Sequence, residues 1–203
     1  MAESVAEAVA CVRAGGVVVF PTESVYGLGA DARSPEAVAR LVAVRGRDPG
    51  KPILVLVRDA AMAGTLAAAF SPLAQALARR FWPGPLTLVV PARADLPEPL
   101  TAGTGTIGVR VPGHPDAAAL VAGVAGPVTA PSANPPGRQA PRRVEEARRY
   151  FGVAVGAYVD GGELPGSAST VVAIEGDGVR MLREGLVSRA AIDAALAEAS
   201  RAG

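Results

Sequence analysis

The stretch "SPEAVARLVAVRGRDPGKPILVLV", residues 34–57, decides the fold class. Ser34 can cap a helix, and Pro35 suits its first position, where no backbone N–H is needed. Val38, Leu41 and Val42 then fall on one face, so the pattern predicts a helix that closes near Arg45. "ILVLV" at 53–57 is apolar throughout, as expected of a strand covered on both faces. Between helix and strand lie Arg45, Arg47 and Lys51 against one carboxylate, Asp48. Two arginines two residues apart can aim planar donor forks at one phosphate or carboxylate. Cations at a helix C-terminus are also favoured by the dipole alone, so a solvated helix end explains the same residues.

Working outward, the same alternation recurs. Upstream, "ESVAEAVACVRAGG" is a helix pattern with a Ser4/Glu7 capping box and a Gly15–Gly16 stop, followed by a strand at 17–20 and a short one at 26–30. Downstream, Asp59 and Ser71-Pro72 announce two helices, "LTLVV" at 86–90 a strand, residues 92–105 a surface loop and "TIGVRVP" another strand. A short helix from Pro115, a strand at "PVTA", a Pro-rich loop at 131–141 and a helix in "RRVEEARRYFG" come next. "GAYVDGG", "ASTVVAIEG" and "VRMLREG" read as strands before a helix from Ser188, with 199–203 frayed. Helices and strands alternate first and strands cluster later, which predicts a mixed α/β sheet with packed helices in one domain over 1–203.

Composition narrows the chemistry. The net charge is +1, which argues against a general nucleic-acid coat, and no apolar run is long enough to span a bilayer. With no secretory pattern at its start, the chain reads as cytoplasmic. Cys11 is the one cysteine and His114 the one histidine, so a structural zinc site built from these types is excluded. His114 sits in the turn-like "VPGHPD", just before a predicted helix. Of the 20 basic residues all but Lys51 are arginine, so Schiff-base chemistry could run only through Lys51.

Polar residues collect in four places at predicted strand ends, where open α/β sheets bind ligands. "PTESVYGLGAD" brings Thr22, Glu23 and Ser24 directly after a buried strand, as ligand donors or as turn caps. The cationic loop is the second, and it contains no P-loop pattern. "VTAPSANPPGR" places Ser132 and Asn134 among stiffening prolines, which suits ligand orientation and plain turn formation alike. The fourth is dispersed: Thr106 and Arg110 in "TIGVRV", Ser169 in "ASTVV" and Arg183 in "LREG". An arginine amid Val, Ile and Gly needs a partner, and Glu23 or Asp160 could supply it.

Together "FPTESVYGLGADA", "RGRDPGKPILVLV", "FWPGPLTLVVPA", "IGVRVPGHP", "APSANPPG", "STVV" and "LREG" resemble, in order, the YrdC-like threonylcarbamoyl-adenylate synthases. The resemblance covers about residues 5–187 and looks like the short form without an extra C-terminal domain. It implies a twisted, mixed parallel and antiparallel sheet around a concave basic cavity. It also implies the joining of L-threonine, bicarbonate and ATP into threonylcarbamoyl-AMP and pyrophosphate, with Mg2+ carried in by ATP. A threonylcarbamoyl transferase complex acting on tRNA would be the partner, with direct RNA contact as a further expectation.

By the same resemblance Arg45, Arg47, Ser132 and Asn134 match the family signature and would act on the nucleotide, with Lys51, Thr106 and Arg183 as further ATP contacts. Ser24, Ala130, Arg110 and Ser169 would hold threonine, Ala130 through its backbone. Arg45 stands where relatives usually carry lysine, Leu56 where some carry histidine, and Ala140 where a hydroxyl is frequent. Preorganised cations can stabilise charge growing on phosphate without an acid, a base or a covalent nucleophile, which suits a chain so poor in His, Lys and Cys. Two alternatives stand beside this reading. One is an RNA-binding module using the arginines at 138–149, although Glu145 and Glu146 make that helix look like a solvated face. The other is carbamoyl adenylation in metallocentre maturation.

Overall fold

The computed structural model describes residues 3–46, 50–176 and 178–202. Most of its helices start where a side chain caps them. In α1 (Val5–Arg13) the Ser4 hydroxyl accepts from the Glu7 N–H at 3.2 Å, while the Glu7 carboxylate accepts from the Ser4 N–H at 2.7 Å. Ser34 caps α2 (Pro35–Arg45), Asp59 caps α3 (Ala60–Gly64) and Ser71 caps α4 (Pro72–Phe81). His114 does the same for α6 (Pro115–Val124), its Nδ1 accepting from the Asp116 N–H at 3.2 Å. The single histidine is therefore occupied as a cap.

Two sheets carry the architecture. Strands β1 (Val18–Phe20), β2 (Gly27–Gly29) and β7 (Ala157–Tyr158) form the smaller, in the order β2-β1-β7. The larger runs β6-β3-β5-β4-β8-β9, from β3 (Leu54–Leu56), β4 (Leu86–Pro91), β5 (Thr106–Arg110), β6 (Val128–Thr129), β8 (Thr170–Glu175) and β9 (Gly178–Arg183). Its pairings mix directions: β3 with β5 and β4 with β8 are parallel, the rest antiparallel. The strand ends fall within a residue or two of the sequence pattern at β1, β2 and β3.

The sheets are stitched together along one seam. Residues 128–133 run beside 26–31, with the Thr129 N–H donating to Ala30 O, Leu28 N–H to Pro131 O and Ala133 N–H to Tyr26 O, each at 2.9 Å. The buried Thr129 hydroxyl donates to Leu28 O and accepts from the Ala30 N–H. Pro131, the proline of this segment, takes part through its carbonyl alone, so stiff backbone continues a sheet into a loop.

Three apolar clusters fill the interior. One packs α3, α4 and α8 (Arg189–Ala202) under the large sheet, through residues such as Leu66, Leu77, Leu88 and Ile192. A second joins the small sheet to α2 and α7 (Val144–Phe151), and the third joins it to α1 and α6. Residues 92–105 differ from the expected surface loop. They hold a short helix, α5 (Glu98–Thr101), whose Leu100 is fully buried and whose Leu100 O accepts from the Ile53 N–H at 2.8 Å. The stop residue is Ala102 at φ +53°, a left-handed position that glycine normally fills, so the sequence carried no stop signal.

Candidate functional site

Strand alternation builds the site. On β5, Ile107 and Val109 face the core while Thr106, Gly108 and Arg110 face the other way; on β4, Leu86, Leu88 and Val90 face the core while Thr87 and Val89 do not. These second faces line a cavity of about 890 Å3 closed by the seam, the end of α2 and β9. It exists because small side chains occupy its floor. A Cβ on Gly108 would already lie 3.3 Å from Cγ2 of Thr87.

The cavity lining contains Ser24, Arg45, Lys51, Thr106, Arg110, Ala130, Ser132, Ser169 and Arg183, so residues dispersed over the sequence meet in one place. Ala140 lies in the wall as well, whereas Leu56 is fully buried in the core beneath. Arg47 lies outside the described residues. Asn134 is buried but does not line the cavity. Its Nδ2 donates to Pro135 O at 3.0 Å and to Arg138 O at 2.8 Å, bracing the loop that carries Ser132.

Each cation is held differently. The Arg45 Nε donates to Ser132 O at 3.0 Å, tying the end of α2 to the Pro-rich loop. Arg183 donates from Nε to Ser169 O at 2.9 Å and from Nη2 to the Ser169 hydroxyl at 3.1 Å. Arg110 is only 2% exposed, and its Nη1 lies 3.4 Å from Oε1 of Glu23. Of the two candidate partners, Asp160 goes elsewhere, accepting from the Gly162 N–H at 2.8 Å. Burial pulls Arg110 down from the usual guanidinium range; Glu23 opposes that, and nearby Arg183 adds to it. A guanidinium starts so high that it stays charged regardless. An anion bound between Arg110 and Arg183 would relieve both the burial penalty and their mutual repulsion.

Polar atoms without a hydrogen-bond partner gather around Arg110. Among the described residues, the Ser24 hydroxyl, the Thr87 hydroxyl, Arg110 Nε and both Glu23 oxygens are buried without a hydrogen-bond partner. Buried polar groups are nearly always satisfied, so clustered exceptions beside a cavity mark a candidate functional site. Among the described residues the lining holds five cations, Arg45, Lys51, Arg110, Arg180 and Arg183, against one carboxylate, Glu175. Arg180 pairs with Glu175 at 2.6 Å on the rim. This donor set suits phosphate and carboxylate groups, and no cluster of three or more metal-ligating side chains occurs among the described residues.

Thr87, Arg180 and Tyr26 are cavity residues that the sequence reading did not select. Thr87 had one visible signal, a hydroxyl inside the otherwise apolar strand "LTLVV". Tyr26 is fully buried; its hydroxyl donates to Gly162 O at 2.8 Å and accepts from the Gly161 N–H at 2.9 Å, and burial pushes it up to about 12.

Comparison with known proteins agrees with this fold. The threonylcarbamoyl-AMP synthase of Bacillus subtilis is 37% identical over 194 residues, 95% of this chain and 56% of that protein. The enzyme of the same name from Halorhodospira halophila is 45% identical over 160 residues, 77% of this chain and 82% of its own. The crystal structure of Pyrococcus abyssi Sua5 complexed with L-threonine superposes with a TM-score of 0.89 at 35% identity, over 94% of this chain and 56% of that one. The chain thus spans little more than half the length of the Bacillus and Pyrococcus proteins. The family model Sua5_yciO_yrdC, described as "Telomere recombination", matches residues 10–185. With the mixed sheet, the seam and the cation-lined cavity all lying inside that match, this chain belongs to the Sua5/YciO/YrdC family.

Proposed function

We propose that this chain is an L-threonylcarbamoyladenylate synthase, joining L-threonine, bicarbonate and ATP into threonylcarbamoyl-AMP with release of pyrophosphate. The observation that carries the reading is the buried Arg110, set among unpartnered hydroxyls at the floor of a cavity lined by further cations. Arg110 and Ser24 take the threonine carboxylate, with Ser169 and the Ala130 backbone beside them. Arg45, Arg47, Lys51, Thr106, Ser132 and Arg183 take the nucleotide, and Asn134 acts through the loop it braces.

In the adenylation step a carbamate oxygen attacks the α-phosphorus, and the bond to the bridging oxygen of pyrophosphate breaks. Negative charge grows on phosphate oxygens, and fixed guanidinium groups stabilise it without reorganising. Mg2+ would enter on the triphosphate and neutralise part of its charge. Among the described residues the lining offers carboxylate oxygen at Glu175, which Arg180 already holds, so their contribution is cationic.

The reading assigns this chemistry to a single YrdC-like domain over 1–203, in the cytoplasm, where a threonylcarbamoyl transferase complex would pass the product to tRNA. No helix among the described residues is long and apolar enough to cross a membrane. The test is pyrophosphate release from Mg-ATP by the purified protein. Release that requires L-threonine and bicarbonate together is expected. No release under conditions where a longer relative is active would overturn the reading, and release driven by carbamoyl phosphate instead would favour carbamoyl adenylation.

A further inference from the structure

Arg180 faces the cavity together with Arg183 because β9 is irregular. Val179 and Met181 pack against the core under the large sheet, so Arg180 falls on the other face, in the cavity lining. In a regular strand Arg183 would then share the face of Met181. Instead Met181 pairs with Val172 and Arg183 with Val171, which leaves Leu182 as one extra residue between them. Such a bulge re-aims the side chains beyond it. Both arginines therefore line the same cavity, yet only Arg183 has a task in the reading above.

The strand register gives Arg180 its place along the cavity. Leu54, Gly108, Val89, Ala173 and Arg180 stand side by side across β3, β5, β4, β8 and β9. Two residues along the strands in one direction lie Arg110, Val171 and Arg183, and two in the other lie Thr106 and Glu175. Neighbouring rows are about 7 Å apart. A nucleotide held by both Arg183 and Thr106 therefore crosses the row between them. In that row Leu54, Gly108, Val89 and Ala173 carry no polar side chain, and Arg180 supplies a charge. In this structure Glu175 occupies that charge: Arg180 Nε donates to Oε1 at 2.8 Å, and Nη2 lies 2.6 Å from the same oxygen. The two side chains are 61% and 52% exposed, and an ion pair so exposed stabilises little. A phosphate offers the planar fork two oxygens in place of one.

We infer that Arg180 exchanges Glu175 for the phosphate chain of the nucleotide and is a binding residue in its own right beside Arg183. The inference rests on the nucleotide reading proposed above. Glu175 then competes with ATP for one guanidinium, so removing its charge tightens ATP binding and removing Arg180 weakens it. Arg110, which anchors the amino acid in that reading, stands in another row and three strands away, so L-threonine binding does not change.

The experiment measures pyrophosphate release by wild type, Arg180→Ala, Glu175→Gln and the double variant. KM for ATP and for L-threonine are taken separately, with thermal melts in the presence and absence of Mg-ATP. Arg180→Ala should raise KM for ATP about tenfold while KM for L-threonine stays within about twofold. Glu175→Gln should lower KM for ATP about twofold. The double variant decides, because a pair that merely braces the hairpin is there removed as a neutral unit. The inference expects its KM for ATP to stay about tenfold above wild type; a rise of less than about threefold overturns the inference alone. Equal rises in both KM values overturn it too, since they mark a disturbed hairpin, and Arg180→Gln repeats the test if the alanine variants melt early. A wild type that releases no pyrophosphate but is stabilised by Mg-ATP overturns the synthase reading, and loss of that stabilisation in the double variant still upholds Arg180. Stabilisation retained there overturns it, and a wild type showing neither release nor stabilisation overturns both.

Discussion

Two groups of arginines in this chain meet opposite fates. On the surface at α7, Arg142 and Arg143 both pair with Glu163, the former at 3.1 Å, and the backbone N–H groups of both donate to Glu146. Around the cavity, Arg183 is held by the carbonyl and hydroxyl of Ser169, and Arg110 faces Glu23 across 3.4 Å without a hydrogen bond. Neutral oxygens fix a guanidinium in place and leave its charge in force, whereas a hydrogen-bonded carboxylate cancels it. The density of arginines along the chain therefore says little about where an anion binds. What each arginine leans on says much more, and this is why the run at 138–149 reads as solvated surface although it holds more cations per residue than the cavity strands.

The sharpest way to break this contrast is at Arg110. Arg110→Met removes the buried cation and leaves Glu23 desolvated and alone, which should destabilise by about 3–5 kcal/mol. Adding Glu23→Gln removes the orphaned charge, so the double variant should recover most of the lost stability. Activity should not follow, and a loss of a hundredfold or more in kcat/KM for L-threonine is expected in the double variant. Melting curves and pyrophosphate release on the same samples separate the effects. If the stable double variant retained activity within a few-fold, Arg110 would be merely structural.

Arg45→Ala should cost less, about tenfold or more in activity, the scale of a charge-assisted contact of roughly 1.5 kcal/mol. Arg45 also ties α2 to the loop through Ser132 O, so Arg45→Lys is the informative companion. A lysine keeps the charge and loses the fork, so Arg45→Lys should restore most of the rate if the charge rather than the fork matters. Wild-type activity in Arg45→Ala would reduce the residue to a helix-end charge.

Much of this was legible from the chain. The caps at Ser4, Ser34, Asp59 and Ser71 were readable because capping is local, set within three residues. The loops that converge on the cavity were legible as polar residues after apolar strands, and Glu23 was a nameable partner for Arg110 because a half-buried cation demands one. What stayed hidden depends on distant chain. No local pattern shows that Asn134 turns inward to brace its own loop, nor that Ala102 ends a helix in a left-handed conformation. Thr87 looked like an ordinary strand residue until β5 placed Arg110 beside it.

Tyr26 joins the two regions, lining the cavity while packing in the cluster that includes Val144 and Phe151 of α7. Burial, with Asp160 adding to it and the Gly161 N–H opposing, raises its hydroxyl from the ordinary value near 10 to about 12. A raised acid favours the protonated form in the fold, so this stabilisation is complete below pH 10 and is lost as pH rises toward 12. Tyr26→Phe should cost about 1 kcal/mol at neutral pH, from its lost hydrogen bonds. Its melting temperature should fall less steeply than that of wild type between pH 10 and 12. Parallel slopes would show that the hydroxyl ionises as freely in the fold as outside it.

The smallest effect is expected at Arg143, and it tests the other half of the contrast. Its guanidinium and Glu163 are both about half exposed, 59% and 46%, so the pair should contribute no more than about 0.5 kcal/mol and less in high salt. Glu163 keeps Arg142 as a second partner, which limits the loss further. Arg143→Ala should leave pyrophosphate release within twofold of wild type and should barely alter binding to structured RNA. A fall of fivefold or more in RNA affinity, with a shallower salt dependence, would mean that this guanidinium exchanges Glu163 for phosphate. The surface group would then be a second anion site held in reserve by its carboxylate, and the distinction between cancelled and active arginines would fail where it was drawn most firmly.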